Sequence, residues 1–318
     1  LGYLYALLAS LLFGLNGSTT KVIIEAGITP AQLTFMRVGS IALLSGAVLL
    51  FSNRAAFRIT RRQALVMAVL GVAGVALIQW FYAIAISRLP VGIALMLEYG
   101  GVLLVALAAR FIFKEKVKAR IWVAIGAVLI GMAVVAQVWA SPLDGFGVLA
   151  GVLAAICLAV YFLIGERQVQ STSALAVSFW SMLFASVFWL IFSGWWNIQP
   201  AILMQQGSLG GNLSDWSFPL WVALLWSAML GSFAPYLLSY LALGRLTATA
   251  AGIVSSSEVI FAFLFAFLWL GEVLDLVQTV GAAIVLLGIV LAQTSRDRVI
   301  DLDLASRDLV RSKALRRR

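Results

Sequence analysis

Runs of about twenty apolar residues alternate with short polar connectors along almost the whole chain. A helix that crosses a bilayer needs roughly 20 mostly apolar residues. Ten segments reach that length: Tyr3–Ile24, Ala31–Phe51, Ala64–Ser87, Val91–Phe111, Ile121–Trp139, Gly145–Gly165, Ala174–Trp196, Phe218–Leu241, Ala248–Leu270 and Leu276–Thr294. The connectors use turn chemistry, as in "EAGITP", "RLP" and "SPLDG". Pro30 and Pro90 fall at or just before a first helical turn, where a missing N–H costs nothing. The longest connector, Asn197 to Ser217, is rich in Gly, Ser, Asn and Gln and reads as a mobile outer loop. Its Asn212-Leu213-Ser214 triplet matches a glycosylation acceptor, a match too frequent by chance to weigh. The first apolar run is too long for a signal-peptide core, so it counts as a helix. The chain begins at Leu1 rather than Met, and a few residues are expected to precede it.

One stretch occurs twice. "RLPVGIALMLEYGGVLLVALAARFIFKEKV" (88–117) is followed 157 positions later by "RLTATAAGIVSSSEVIFAFLFAFLWLGEVL" (245–274). Arg88-Leu89 falls on Arg245-Leu246, Glu115 on Glu272 and Gly131 on Gly288, without a gap. Each copy reads as an Arg-Leu connector, an apolar helix, a Glu-bearing turn and a second apolar helix. The expected architecture is an all-α polytopic membrane protein with ten transmembrane helices in two five-helix repeats, 1–141 and 142–295, and a basic tail, 296–318.

Composition agrees: 63% of residues are hydrophobic and 11% charged, and mean hydropathy is +1.05, which excludes a water-soluble domain. The net charge of +9 fits membrane topology better than nucleic acid once the charges are placed. Nineteen Lys and Arg fall on one side: Arg54, Arg58, Arg61 and Arg62; Arg110 to Arg120; Arg167; Arg245; and the tail. Lys21, Arg37 and Arg88 alone fall on the other, so both termini are expected in the cytoplasm. Five helices per copy is odd, which turns the second copy upside down. The "FKEKVKAR" turn is basic and its counterpart "LGEVLDLV" acidic, as that inversion requires; the two turns then serve topology and helix capping. Inverted repeats recur in secondary transporters, with the substrate near midplane. The tail reads as an interfacial helix on the anionic leaflet or as a disordered segment. One cysteine, Cys157, allows no internal disulfide, and no histidine is present. No metal, cofactor or nucleic-acid partner is expected; the bilayer and a small-molecule substrate are, and no oligomer is required.

The duplicated Arg-Leu connector, apolar helix and "KEK"/"GEV" turn, set in this architecture, resemble the drug/metabolite transporter superfamily, in its ten-helix branch of two EamA repeats. The resemblance covers Tyr3 to Thr294, and more narrowly the chain is similar to YddG-type bacterial exporters of aromatic and other neutral amino acids. It implies an alternating-access exporter of the bacterial inner (cytoplasmic) membrane, with a central cavity between helices 1, 3, 4 and 6, 8, 9.

Ionisable groups inside a membrane cost several kcal/mol unless paired or wetted. Arg37 lies seven residues past Pro30 and Glu98 eight past Pro90, at similar depth about 10–12 Å in. They form either a structural ion pair or a site in which Glu98 receives a substrate ammonium or a proton. Glu258 follows Ser255-Ser256-Ser257 near midplane; the hydroxyls either pack helices by bonding to their own backbone or line the cavity. Gln79 and Tyr236 coincide under the 157-residue offset, and Glu98 matches Ser255. Asn16 and Tyr161 match near an offset of 145. With Tyr82, Tyr99 and Tyr240 these are the candidate cavity residues. Lys21 either snorkels to headgroups or meets a substrate carboxylate. Trp139, Trp195, Trp196, Trp216 and Trp221 fit an interfacial belt. Gly14, Gly17, Gly100 and Gly101 read as helix-packing residues.

Carboxylates for an ammonium, amides and hydroxyls for a carboxylate, and rings for a side chain together suit a neutral amino acid. Drug or metabolite export by proton antiport and a passive channel-like facilitator stand as alternatives. A phosphorylated substrate would want a basic clamp in helices 8 and 9, which is missing from their interiors. An enzyme would need a nucleophile and base in one constellation, and the sequence offers none.

Overall fold

A computed structural model describes residues 1–111, 119–135, 144–246, 248–255, 257–273 and 275–293. The "KEK" turn, Trp139, Ser256, Leu274 and the tail lie outside the described residues. Among the described residues, six helices are long and apolar enough to cross a membrane: α1 (Gly2–Glu25), α2 (Pro30–Ser52), α3 (Arg61–Ile86), α7 (Gly145–Ser171), α8 (Ala174–Phe192) and α9 (Leu220–Leu243). Shorter helices lie where the other expected spans fall: α4 (Val91–Tyr99) and α5 (Gly101–Phe111), α6 (Ala119–Val135), α10 (Ala248–Ser255) and α11 (Ser257–Leu270), and α12 (Leu276–Gln293). The protein is a multi-pass membrane protein.

The helix starts follow from local sequence. Thr29 and Thr60 each form a capping box with the glutamine three residues on, and Pro30 occupies the first position of α2. Asp144 accepts from the Gly147 amide at 2.7 Å and from Arg88 at 3.0 Å, which caps α7. Between α4 and α5 the ladder tightens at Gly100, whose amide donates three residues back to Leu97 at 3.1 Å. The break falls one residue after Glu98-Tyr99.

Packing is crossed between the halves of the sequence. Helix α1 lies against α9, α10 and α11, while α7 lies against α3, α4 and α5; α2 pairs with α8 and α6 with α12. Lipid removes the hydrophobic drive between helices, so close backbone approach has to hold them. At Gly101 a Cβ would stand 2.3 Å from the Ala155 carbonyl oxygen of α7, and at Gly14 2.7 Å from Phe261 of α11. Both glycines are contact points, as the sequence suggested.

Among the described residues three π-turns interrupt the helices: Val72–Ala76 in α3, Met229–Phe233 in α9 and Ala266–Leu270 at the end of α11. The first two are displaced by the same 157 positions as the duplicated stretch. Turns of this kind are rare and concentrate at functional sites.

One end of the bundle gathers the connector 53–60, the α7–α8 turn and Arg245: Trp180 donates to the Ala56 carbonyl at 3.0 Å, and the Arg245 guanidinium sits 5.0 Å over the Tyr5 ring. At the opposite end the long connector is not a bare loop. It folds into a one-turn helix (Ala201–Met204) and a hairpin of β1 (Gln206–Ser208) with β2 (Ser217–Pro219). This hairpin docks on the π-turn of α11. Asn212 donates to the Phe267 and Leu268 carbonyls at 3.3 and 3.2 Å, and Trp269 donates to Leu209 at 2.8 Å. A π-turn leaves carbonyls off the regular ladder, and here a side-chain amide from the connector satisfies them. Trp195, Trp196, Trp216 and Trp221 are exposed at this end.

Lys21 neither snorkels nor faces the cavity. Its ammonium meets Glu272 at 2.5 Å, and the second Glu272 oxygen accepts from the Val91 amide at 3.1 Å. The reason is local: α1 carries Lys21 beside the "GEV" turn, where the Glu272 carboxylate also caps the start of α4. Glu272 does cap a helix, but one in the other half of the sequence.

Candidate functional site

The helices converge on a buried polar cavity. Helix α1 contributes Phe13 and Asn16, α2 Arg37, α3 Gln79 and Tyr82, α4 Glu98 and Tyr99, α7 Tyr161, α9 Tyr236 and Ser239, α10 Ser255 and α11 Glu258. Leu95, Leu158, Ile78 and Phe162 complete the wall. Its volume is about 60 Å³, on a measure where one water needs roughly 10–15 Å³. The space holds a few heavy atoms in this conformation.

The lining is paired across the halves. Gln79 and Tyr236, Tyr82 and Ser239, and Glu98 and Ser255 all stand 157 apart; Phe13 and Leu158, and Asn16 and Tyr161, stand 145 apart. The π-turn glycines keep the same relation. A Cβ at Gly74 would lie 3.1 Å from the Tyr161 backbone, and one at Gly231 would lie 2.0 Å from the Asn16 amide oxygen. Each π-turn therefore seats the first helix of the opposite half. Paired places carry unlike groups, so the cavity is symmetric in backbone and asymmetric in chemistry.

Four of the polar lining residues are held by protein partners. Tyr99 donates to Glu258 Oε2 at 2.6 Å, a bond between α4 and α11. Ser227 donates to Asn16 at 3.0 Å. Arg37 donates through Nε to Ser232 at 2.6 Å and through Nη2 to the Gly231 carbonyl at 3.3 Å, both on the π-turn of α9. Of the two readings of Arg37 and Glu98, the ion pair is not formed. Equal depth brought both side chains to the cavity, but the π-turn offers the guanidinium a hydroxyl and a splayed carbonyl that hold it on α9 instead. One oxygen of Glu98, both polar atoms of Gln79 and the Tyr82 and Tyr161 hydroxyls are buried without a hydrogen-bond partner among the described residues.

Nine of the eleven candidate residues line this cavity: Asn16, Gln79, Tyr82, Glu98, Tyr99, Tyr161, Tyr236, Ser255 and Glu258. Tyr240 does not; fully buried, it packs 5.4 Å from the Tyr161 ring and shares a 3.1 Å bond with Ser181 of α8. It lies one turn beyond Tyr236 along α9, past the cavity wall. Ser256 lies outside the described residues. Ser239 was missed, although the offset that pairs Gln79 with Tyr236 also pairs it with Tyr82. Phe13 was missed too; it stands edge-on to Tyr236 at 5.0 Å.

A multi-pass helical protein whose halves interlock around a buried cavity of mixed charge is built like a membrane transporter. Its sequence matches the EamA-like transporter family over residues 1–137 and 145–294. The chain belongs to that family, within the drug/metabolite transporter superfamily. It is 27% identical over 292 residues to the threonine/homoserine exporter RhtA of Escherichia coli (strain K12), covering 88% of this chain and 92% of that protein. To RhtA of Salmonella typhimurium (strain LT2) it is 30% identical over 200 residues, 63% of this chain and 61% of that one. One crystal structure superposes with a TM-score of 0.62 at 18% identity, over 92% of this chain and 98% of its own, which shows a shared fold.

Proposed function

We propose that the protein exports small neutral amino acids across the cytoplasmic membrane of a bacterium by alternating access. In this reading it crosses the membrane ten times. Residues 1–141 and 142–295 are inverted five-helix repeats, and the tail 296–318 and both termini face the cytoplasm. The paired π-turns, the crossed packing of α1 and α7 and the one-sided placement of Arg and Lys support that arrangement.

One observation carries the substrate class. A buried guanidinium, Arg37, and two buried carboxyls, Glu98 and Glu258, line a single small cavity. A buried guanidinium and carboxyl groups that are not bonded to it suit a zwitterion, whose carboxylate would take Arg37 and whose ammonium would take Glu98 and Glu258. The relatives named threonine/homoserine exporters support an amino acid. Both relatives are named for substrates with short side chains, which supports a small member of the class over an aromatic one.

The test is flux into proteoliposomes of labelled threonine, homoserine, methionine, phenylalanine and tryptophan beside a nucleotide sugar and a quaternary ammonium, with and without a pH gradient. Neutral amino acids are expected to move, small ones fastest. Arg37→Gln is expected to lower that flux about a hundredfold, as loss of a buried charged partner does. Flux of another class with no amino-acid flux would overturn the reading.

A further inference from the structure

The cavity holds more unmatched polar groups than a zwitterion needs. Gln79 is 4% exposed, and neither its amide oxygen nor its amide nitrogen has a partner among the described residues. Tyr82, three residues on and 9% exposed, has a buried hydroxyl in the same condition. Both line the cavity. Tyr82 is fixed there by close approach to α1, since a Cβ at Gly17 would stand 2.7 Å from its hydroxyl oxygen. By contrast, Arg37, Asn16 and Glu258 already bond within the protein. Native proteins leave few buried polar groups unsatisfied, and a neighbouring donor, acceptor and hydroxyl are costly to leave so.

We propose that Gln79, supported by Tyr82, reads the substrate side chain and selects a hydroxyl on it. This rests on the amino-acid reading above and adds the group that sets specificity within the class. A hydroxyl is donor and acceptor at once and so is an amide, which makes one substrate OH sufficient to satisfy both atoms of Gln79. An alkyl or aromatic side chain of equal size would leave the amide desolvated and unpaired. Sites built around a substrate hydroxyl reject its apolar isostere far better than apolar pockets reject an extra hydroxyl.

The experiment compares isosteric pairs in proteoliposome counterflow: threonine with valine, and homoserine with 2-aminopentanoate. The parent protein is expected to prefer the hydroxylated member about tenfold or more. In Gln79→Met the threonine-to-valine ratio is expected to fall to within about twofold, because the longer loss is on the hydroxylated substrate; Tyr82→Phe is expected to lower it less. Equal handling of both pair members by the parent overturns the proposal while leaving amino-acid export intact. Equal fractional loss of threonine and valine in Gln79→Met also overturns it, since the amide would then serve the common carboxylate. Absence of any amino-acid flux in the parent would instead sink the reading on which it rests.

Discussion

Tyr99 and Glu258 meet at 2.6 Å from residues 159 apart in the chain, and that bond fixes the aim of a carboxyl the cavity depends on. Depth alone could be read from the sequence: counting from Pro30 and Pro90 brought Arg37 and Glu98 to one level. Azimuth could not. Which way a side chain points around a helix depends on its neighbours, and the π-turn of α9 drew Arg37 away from the carboxylate. The same limit explains Tyr240, which shares a face with Tyr236 but ends against Ser181. Glycine contacts make this scale testable. Gly101 touches a backbone oxygen that cannot yield, whereas nothing lies within 4 Å of a Cβ at Gly39. Gly101→Ala should cost about 1–3 kcal/mol, and Gly39→Ala should be neutral or gain up to about 1 kcal/mol from helix propensity. Thermal melts in detergent would read the order directly; an equal shift for both would refute it.

Among the elements, the Lys21–Glu272–Val91 contact ties the far end of α1, the start of α4 and the turn after α11 into one closure. The duplicated "GEV" motif was plain in the sequence. Its partner was not, because Lys21 is remote in the chain and a lone lysine near a span end more often reaches for headgroups. The pair is partly exposed, with side chains at 25% and 19%, so screening limits it to about 1 kcal/mol. Glu272→Gln keeps an acceptor for the Val91 amide but removes the charge. It is expected to raise labelling of a cysteine placed at Ser255, from the end opposite the N-terminus, about fivefold. No change would mean the contact does not restrain that end.

At the scale of the whole molecule the sequence was most informative. Hydropathy found the six long helices, and the 157-residue offset held for the π-turns and for three pairs of cavity residues that no apolar pattern marks. Repeat spacing survives because it is a property of the backbone path, while the chemistry at each place is free to diverge. The long connector was misjudged for the opposite reason: Gly, Ser and Asn are as suited to a tight hairpin as to a loop. The proposed orientation has its own test. With Cys157 replaced by alanine, a cysteine at Ser214 should react with an impermeant maleimide on intact cells. One at Arg58 should react after the membrane is opened, and the reverse pattern would invert the topology.

The paired π-turns carry a mechanical implication. Each inserts one surplus residue into a helix without fixing where the surplus must sit. Sliding it by a single position would swing the intervening side chain through about 100° while both helix ends stay in place. Helices α3 and α9 could then re-aim cavity groups by passing a defect along their length, as a dislocation moves through a crystal, with α7 and α1 shifting where Gly74 and Gly231 seat them.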